Sequence, residues 1–168
     1  MVSKFVIAIF AVIAVMIALL LFPGFDNDQL PEERSRLDLE YSKQLLIRSG
    51  NGSLVASNAQ LLVIRNDGTA TYTNITGSNI EEKAFTIGSE ELKSLWGLIL
   101  ETGFMQIPVS ELPLQEGLAS FTKYTIKAQT DTDANTISWT ESESSEETAP
   151  ALIVNIQDQL EDIIVENG

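Results

Sequence analysis

Two segments of this chain have the spacing of reactive motifs. Asp131-Thr-Asp133-Ala-Asn135 sets oxygen-bearing side chains at alternate positions, as the first five places of a helix–loop–helix calcium site do. Such a site needs Gly at the sixth place and a bidentate Glu at the twelfth. This chain has Thr136 and Ser142 there, and strands rather than helices are expected on either side. The plainer reading of Asp131 and Asp133 is a solvated hairpin turn, since Asp and Asn readily bond the backbone two residues on. Ser120-Phe-Thr-Lys123 has the Ser-x-x-Lys spacing of a lysine-activated nucleophile, which normally opens a helix. On the strand expected here, the two side chains point to opposite faces and cannot meet.

Carboxylates come in adjacent pairs at Glu81-Glu82, Glu90-Glu91 and Glu146-Glu147. Neighbouring acids on a strand point apart, and an acid–base dyad needs two that converge. The chain has no histidine and no cysteine. A Ser-His-Asp triad, a Cys-His pair, a disulfide and a His- or thiolate-based metal site are therefore excluded within it. No catalytic residue, metal ligand or cofactor is assigned. Asn51-Gly-Ser53 and Asn74-Ile-Thr76 are glycosylation sequons, a number that this content of Asn, Ser and Thr produces by chance.

The elements that must position any such residue begin with a membrane segment. From Phe5 to Phe22 the chain reads FVIAIFAVIAVMIALLLF, with no charge and no hydrogen-bonding side chain. Eighteen residues at about 1.5 Å each span ~27 Å as a helix, close to the ~30 Å of a bilayer's hydrocarbon core. Pro23, Gly24 and Phe25 extend it to the interface, so residues 5–25 are expected to anchor the chain in a lipid bilayer. A cleaved signal peptide is the alternative; its core is shorter, and Phe22-Pro-Gly-Phe25 lacks the small-residue cleavage pattern. Lys4 precedes the run, and Asp26 and Asp28 follow it. Residues 1–4 are therefore expected in the cytoplasm and everything beyond the anchor outside.

The net charge is −14; nine of the ten cations and all 24 acids lie beyond residue 25, leaving that part at −15. A surface this acidic repels nucleic acid. It favours solubility, or more pointedly a cation or a basic partner.

Residues 26–36 (DNDQLPEERSR) read as a polar tether, with a short helix from Glu32 as the alternative. The globular part is expected over residues 37–168. Leu37, Leu39, Tyr41, Leu45 and Ile47 alternate with polar residues, a half-buried strand that also fits a weak helix. Strands follow at 60–65 and 69–73 around Asp67-Gly68, a hairpin signal, and again at 83–87. Ser89 suits an N-cap, Leu92, Leu95, Trp96 and Ile99 recur at helical spacing, and Gly103 suits a left-handed C-terminal cap. Two strands are expected at 121–129 and 137–139, with Tyr124, Ile126 and Ala128 on one face. A last helix starts near Pro150, striped by Ile153, Ile156, Leu160, Ile163 and Ile164. Hairpin-joined strands and two one-sided helices give an α+β fold: an antiparallel sheet of four to five strands, two helices on one face, and a wetter opposite face.

The order of these residues resembles a family of small uncharacterised extracytoplasmic domains of bacteria and archaea. The resemblance runs over roughly 59–165: the Asp67-Gly68-Thr69-Ala70-Thr71-Tyr72 hairpin, a helix ending at Gly103-Phe104, Ile107-Pro108, a Tyr124 strand, an Ile137-Ser-Trp139 strand and a final amphipathic helix. It implies the fold and the extracytoplasmic setting and no activity. Some members carry cysteines that this chain lacks, so no redox role carries over.

These readings point to a membrane-anchored, non-enzymatic protein-interaction module. A calcium-binding surface domain and a carboxylate-based hydrolase are the alternatives. The irregular stretch 104–119 is longer than a compact domain needs and partly apolar, so Leu112, Pro113 and Leu114 are the candidate partner-binding loop. The alternative for that loop is a flap over a sheet edge.

Overall fold

A computed structural model describes residues 36–108, 118–141 and 149–167. The expected anchor at 5–25, the tether up to its last residue, the Leu112-Pro113-Leu114 loop, Ser142 and the Glu146-Glu147 pair lie outside the described residues. No helix among the described residues is long and apolar enough to cross a membrane.

The described part is α+β, with strands β1 (Leu37–Arg48), β2 (Leu54–Ile64), β3 (Thr69–Thr76) and β4 (Asn79–Thr86), then helix α1 (Ser89–Glu101) and a 3-10 turn at Phe104–Gln106. Strands β5 (Ser120–Thr130) and β6 (Ala134–Thr140) and helix α2 (Ala151–Asn167) complete it. All six strands form one antiparallel sheet in the order β4-β3-β2-β1-β5-β6. This corrects the expected four to five strands. The segment Leu37–Arg48, expected as a strand with a weak helix as the alternative, is a full strand because both its sides find partners, β2 and β5.

Alternation sets the two faces of the sheet. Leu37, Leu39 and Tyr41 of β1, Leu62 and Ile64 of β2, Ile126 and Ala128 of β5 and Ile137 and Trp139 of β6 share one face and are buried. Helix α1 places Leu95 and Ile99 in this core, and α2 adds Ile153, Ile156, Leu160 and Ile163. Each such side chain contributes about 1.5–3 kcal/mol on full burial. The apolar stripes on both helices are therefore where the periodicity places them.

The turns are built from local chemistry. Between β2 and β3, Asp67 Oδ1 accepts from Thr69 N (2.9 Å) and Thr69 Oγ1 (2.6 Å), and Gly68 takes φ +82°. A Cβ at Gly68 would also sit 3.2 Å from Leu92 Cδ2, so both backbone and space call for glycine. Gly103, at φ 91°, ends α1 in the left-handed conformation as expected. Ser89 does not cap α1: Gly88 occupies that position, with no side-chain hydrogen bond, and Ser89 is the first helical residue. The ladder starts one residue early because Leu92 N donates to Gly88 O.

Among the described residues, the two helices do not cover this face along its whole length. At about 1.5 Å per residue, α1 (13 residues) and α2 (17 residues) reach ~20 and ~26 Å, whereas the 12 residues of β1 extend ~40 Å. Leu45 and Ile47 share the face of Tyr41 yet are 38% and 43% exposed. The opposite face departs from the expectation too. Lys127 and Gln129 are exposed there, but Phe121, Ser138 and Thr140 on the same face are buried. Ser138 is accommodated by a 2.9 Å hydrogen bond with Thr125. Burial thus reaches the second face around β5 and β6, while Arg48, Leu54 and Ala56 stay exposed on that same face.

Candidate functional site

The uncovered half of the helix-side face is where polar side chains gather. On β1, β2 and β3 the face position that is apolar near the helices turns polar beyond them: Tyr41 gives way to Lys43, Leu62 to Gln60 and Asn58, and Tyr72 to Asn74. The pairing register lays these residues side by side, with Lys43 opposite Gln60, Gln60 opposite Asn74, and Lys43 opposite Tyr124 on the other flank.

Glu161 of α2 closes this strip at the helix border. Its Oε1 accepts from Tyr41 Oη at 2.8 Å, Gln157 Nε2 at 3.1 Å and Lys43 Nζ at 3.2 Å. Burial by itself would raise the Glu161 carboxyl; the hydrogen bonds from Tyr41 and Gln157 and the charge of Lys43 outweigh it and hold the carboxyl below its usual range. Burial, first of all, pushes the Tyr41 hydroxyl well above its usual value, and the bond to ionised Glu161 adds to this. Tyr124 is raised as well, mainly by burial. Its ring stacks on Trp139 at 5.6 Å between centroids and 17° between planes, and Lys43 Nζ lies 5.5 Å from the ring centre.

Two shallow concavities flank Tyr124. One, of about 130 Å³, is lined by Lys43, Leu45, Asn58, Gln60 and Thr122. The other, of about 290 Å³, is lined by Tyr124, Trp139, Thr140, Glu141, Ala149, Val154 and Gln157. Asn58 Oδ1 and Asn74 Oδ1 are shielded from water and accept no hydrogen bond. Buried acceptors are nearly always paired, and leaving one unpaired costs about 1–3 kcal/mol. The rim beyond carries exposed Leu45, Ile47 and Val55 on the same face.

No protein-family model and no curated protein matches this chain.

The strip offers acceptors, one ion pair and an apolar rim. Its shifted groups move in both directions, the carboxyl down and the phenols up.

The residues singled out by spacing are dispersed. Asp131 and Asp133 do lie in the β5–β6 turn, but Asp133 Oδ1 accepts from Ala134 N at 2.8 Å. Asn135 turns inward, its Nδ2 donating to Phe104 O (2.8 Å) and Ile107 O (3.2 Å), so it fastens the 3-10 turn to β6. Among the described residues no three acidic side chains form a metal-sized group. Ser120 pairs with Ile47 and Lys123 with Gln44, which puts them on opposite faces of β5. Glu81 and Glu82 likewise point to opposite faces of β4. Glu90 and Glu91 lie in the first turn of α1, and Glu90 bonds Lys93 at 2.9 Å.

Sequence reasoning passed over Asn58 and Glu161, and took Asn74 only as a sequon residue and Asn135 only as a place in the calcium-loop pattern. The signal for Asn58 was present: Leu62 and Ile64 fix the parity of the inner face, and Gln60 and Asn58 continue that parity with amides.

Proposed function

We propose that this chain is a membrane-anchored, extracytoplasmic binding module without enzymatic activity, and that it takes a protein partner on the uncovered half of its helix-side sheet face. The single observation behind the binding reading is the apolar rim left exposed on this face, Leu45, Ile47 and Val55. A partner that covers these side chains would remove their apolar surface from water, at about 25 cal/mol per Å². The charge of −15 beyond residue 25 favours a basic partner. The uncharged run Phe5–Phe22, preceded by Lys4, supports the anchor and its orientation. The absence of His and Cys supports a non-enzymatic role.

Site-specific photo-cross-linking in intact membranes tests this. Cross-linkers at Ile47 and Val55 are expected to capture one partner protein, and one at Lys127, on the opposite face, is expected to capture none. A chain that stays at monomer mass with every cross-linker, or that links equally from both faces, would rule the reading out.

A further inference from the structure

The two sequons differ completely once folded. Asn74 lies on β3 between β2 and β4, opposite Gln60 and Glu81, with its carboxamide oxygen shut off from water. Asn51 is exposed in the β1–β2 turn. Its Oδ1 accepts from Ser53 N at 3.1 Å and from Ser53 Oγ at 2.6 Å. Among the described residues nothing bonds its Nδ2. Gly52 has φ +87°, and a Cβ there would meet nothing within 4 Å, so the turn stands clear of the sheet.

The glycosylation motif consists of an asparagine amide and a hydroxyl two residues later. The turn holds these two groups together on the surface, with the reacting nitrogen free. We propose that Asn51 is an N-glycan acceptor in the folded domain and that Asn74 is not. The donor is a lipid-linked oligosaccharide. Asn51 Nδ2 forms the bond to the anomeric carbon, and the bond from that carbon to the lipid phosphate oxygen breaks. The lipid phosphate leaves with the electron pair, and one Nδ2 proton passes to a base of the transferase. Use of the site in a cell rests on the outward placement proposed above; the competence of Asn51 does not.

The fold supplies its own control. Asp67-Gly68-Thr69 makes the same turn as Asn51-Gly52-Ser53, with the same two bonds to the side-chain oxygen. Asn51→Asp therefore keeps the turn while removing the nitrogen that reacts.

The test incubates the folded full chain in detergent micelles with an oligosaccharyltransferase and its lipid-linked oligosaccharide, and reads peptides by mass spectrometry. The expected result is one oligosaccharide on the peptide carrying Asn51 and none on that carrying Asn74. Asn51→Asp loses the mass increase with an unchanged melting temperature, Ser53→Ala loses it, and Ser53→Thr retains it. A folded chain that stays unmodified, or that takes the glycan on Asn74 with Asn51 bare, overturns the proposal. Protease shaving of intact cells reads orientation separately: a protected domain would refute the outward placement while leaving the micelle result to decide on Asn51.

Discussion

The hydrogen bond from Tyr41 to Glu161 spans 2.8 Å and joins the central strand to the last helix, and a double-mutant cycle isolates it. Tyr41 is 1% exposed, so Glu161→Ala strands its hydroxyl in the core, a loss of about 1–3 kcal/mol. Tyr41→Phe removes the donor instead. A bond to a charged acceptor contributes about 1.5–3 kcal/mol. Glu161 keeps 36% of its side-chain surface open and retains Lys43 and Gln157, so screening brings the expected loss to about 1–2 kcal/mol. Both changes break the same bond. The double mutant should therefore cost less than the sum of the single mutants, by about 1 kcal/mol at pH 7. Denaturant unfolding of the full chain, followed by the fluorescence of Trp96 and Trp139, measures it. The pH dependence has a fixed sign. The Glu161 carboxyl is held below its usual value of 4.5, so its stabilisation is present above that value and fades as pH falls through the lower folded one. The coupling should shrink in acid. Strict additivity at pH 7, or a coupling that grows below pH 4.5, would refute the assignment.

Tyr41 gives the opposite limb. Its hydroxyl is raised, so stability is complete below the usual tyrosine value of 10.0 and is lost as pH rises beyond it; Tyr41→Phe should flatten that alkaline limb, read by unfolding midpoints between pH 9 and 11. Asn135→Ala leaves the carbonyls of Phe104 and Ile107 without their side-chain donor and should lower stability by about 1–3 kcal/mol, with hydrogen exchange rising first around the 3-10 turn. Gly68→Ala forces a left-handed backbone on alanine and crowds Leu92, for an expected loss of about 1–2 kcal/mol in denaturant unfolding. Calcium at millimolar concentration should leave the melting temperature unchanged, because Asp133 and Asn135 are already committed to backbone partners; a clear upward shift would restore the calcium reading.

Much of the fold was legible because alternation and helical spacing report directly on which side of an element is dry. Leu37, Leu39 and Tyr41 marked the inner face of β1, and Ile153, Ile156, Leu160 and Ile163 that of α2. Periodicity is silent on how far the cover extends. Leu45 and Ile47 continue the pattern of Tyr41 and are exposed, because helix length set against strand length decides that, and neither is a property of a local window. The strand order was equally hidden: placing β5 beside β1 is a long-range choice. The candidate strip was hidden for the same reason, since Lys43, Gln60, Asn74 and Glu161 become neighbours only through registers between distant segments.

The strand that continues directly from the N-terminal segment sits in the middle of the sheet, bonded to β2 on one side and β5 on the other. Its flank against β5 joins Leu37 to Thr130, so the sheet stays open until the chain has been synthesised past residue 130. With the domain outside, it would cross the membrane as an unclosed chain and lock only afterwards. Tension applied through residue 36 would run along β1 and shear both of its ladders at once, so the domain would resist being unzipped strand by strand from its N-terminal side.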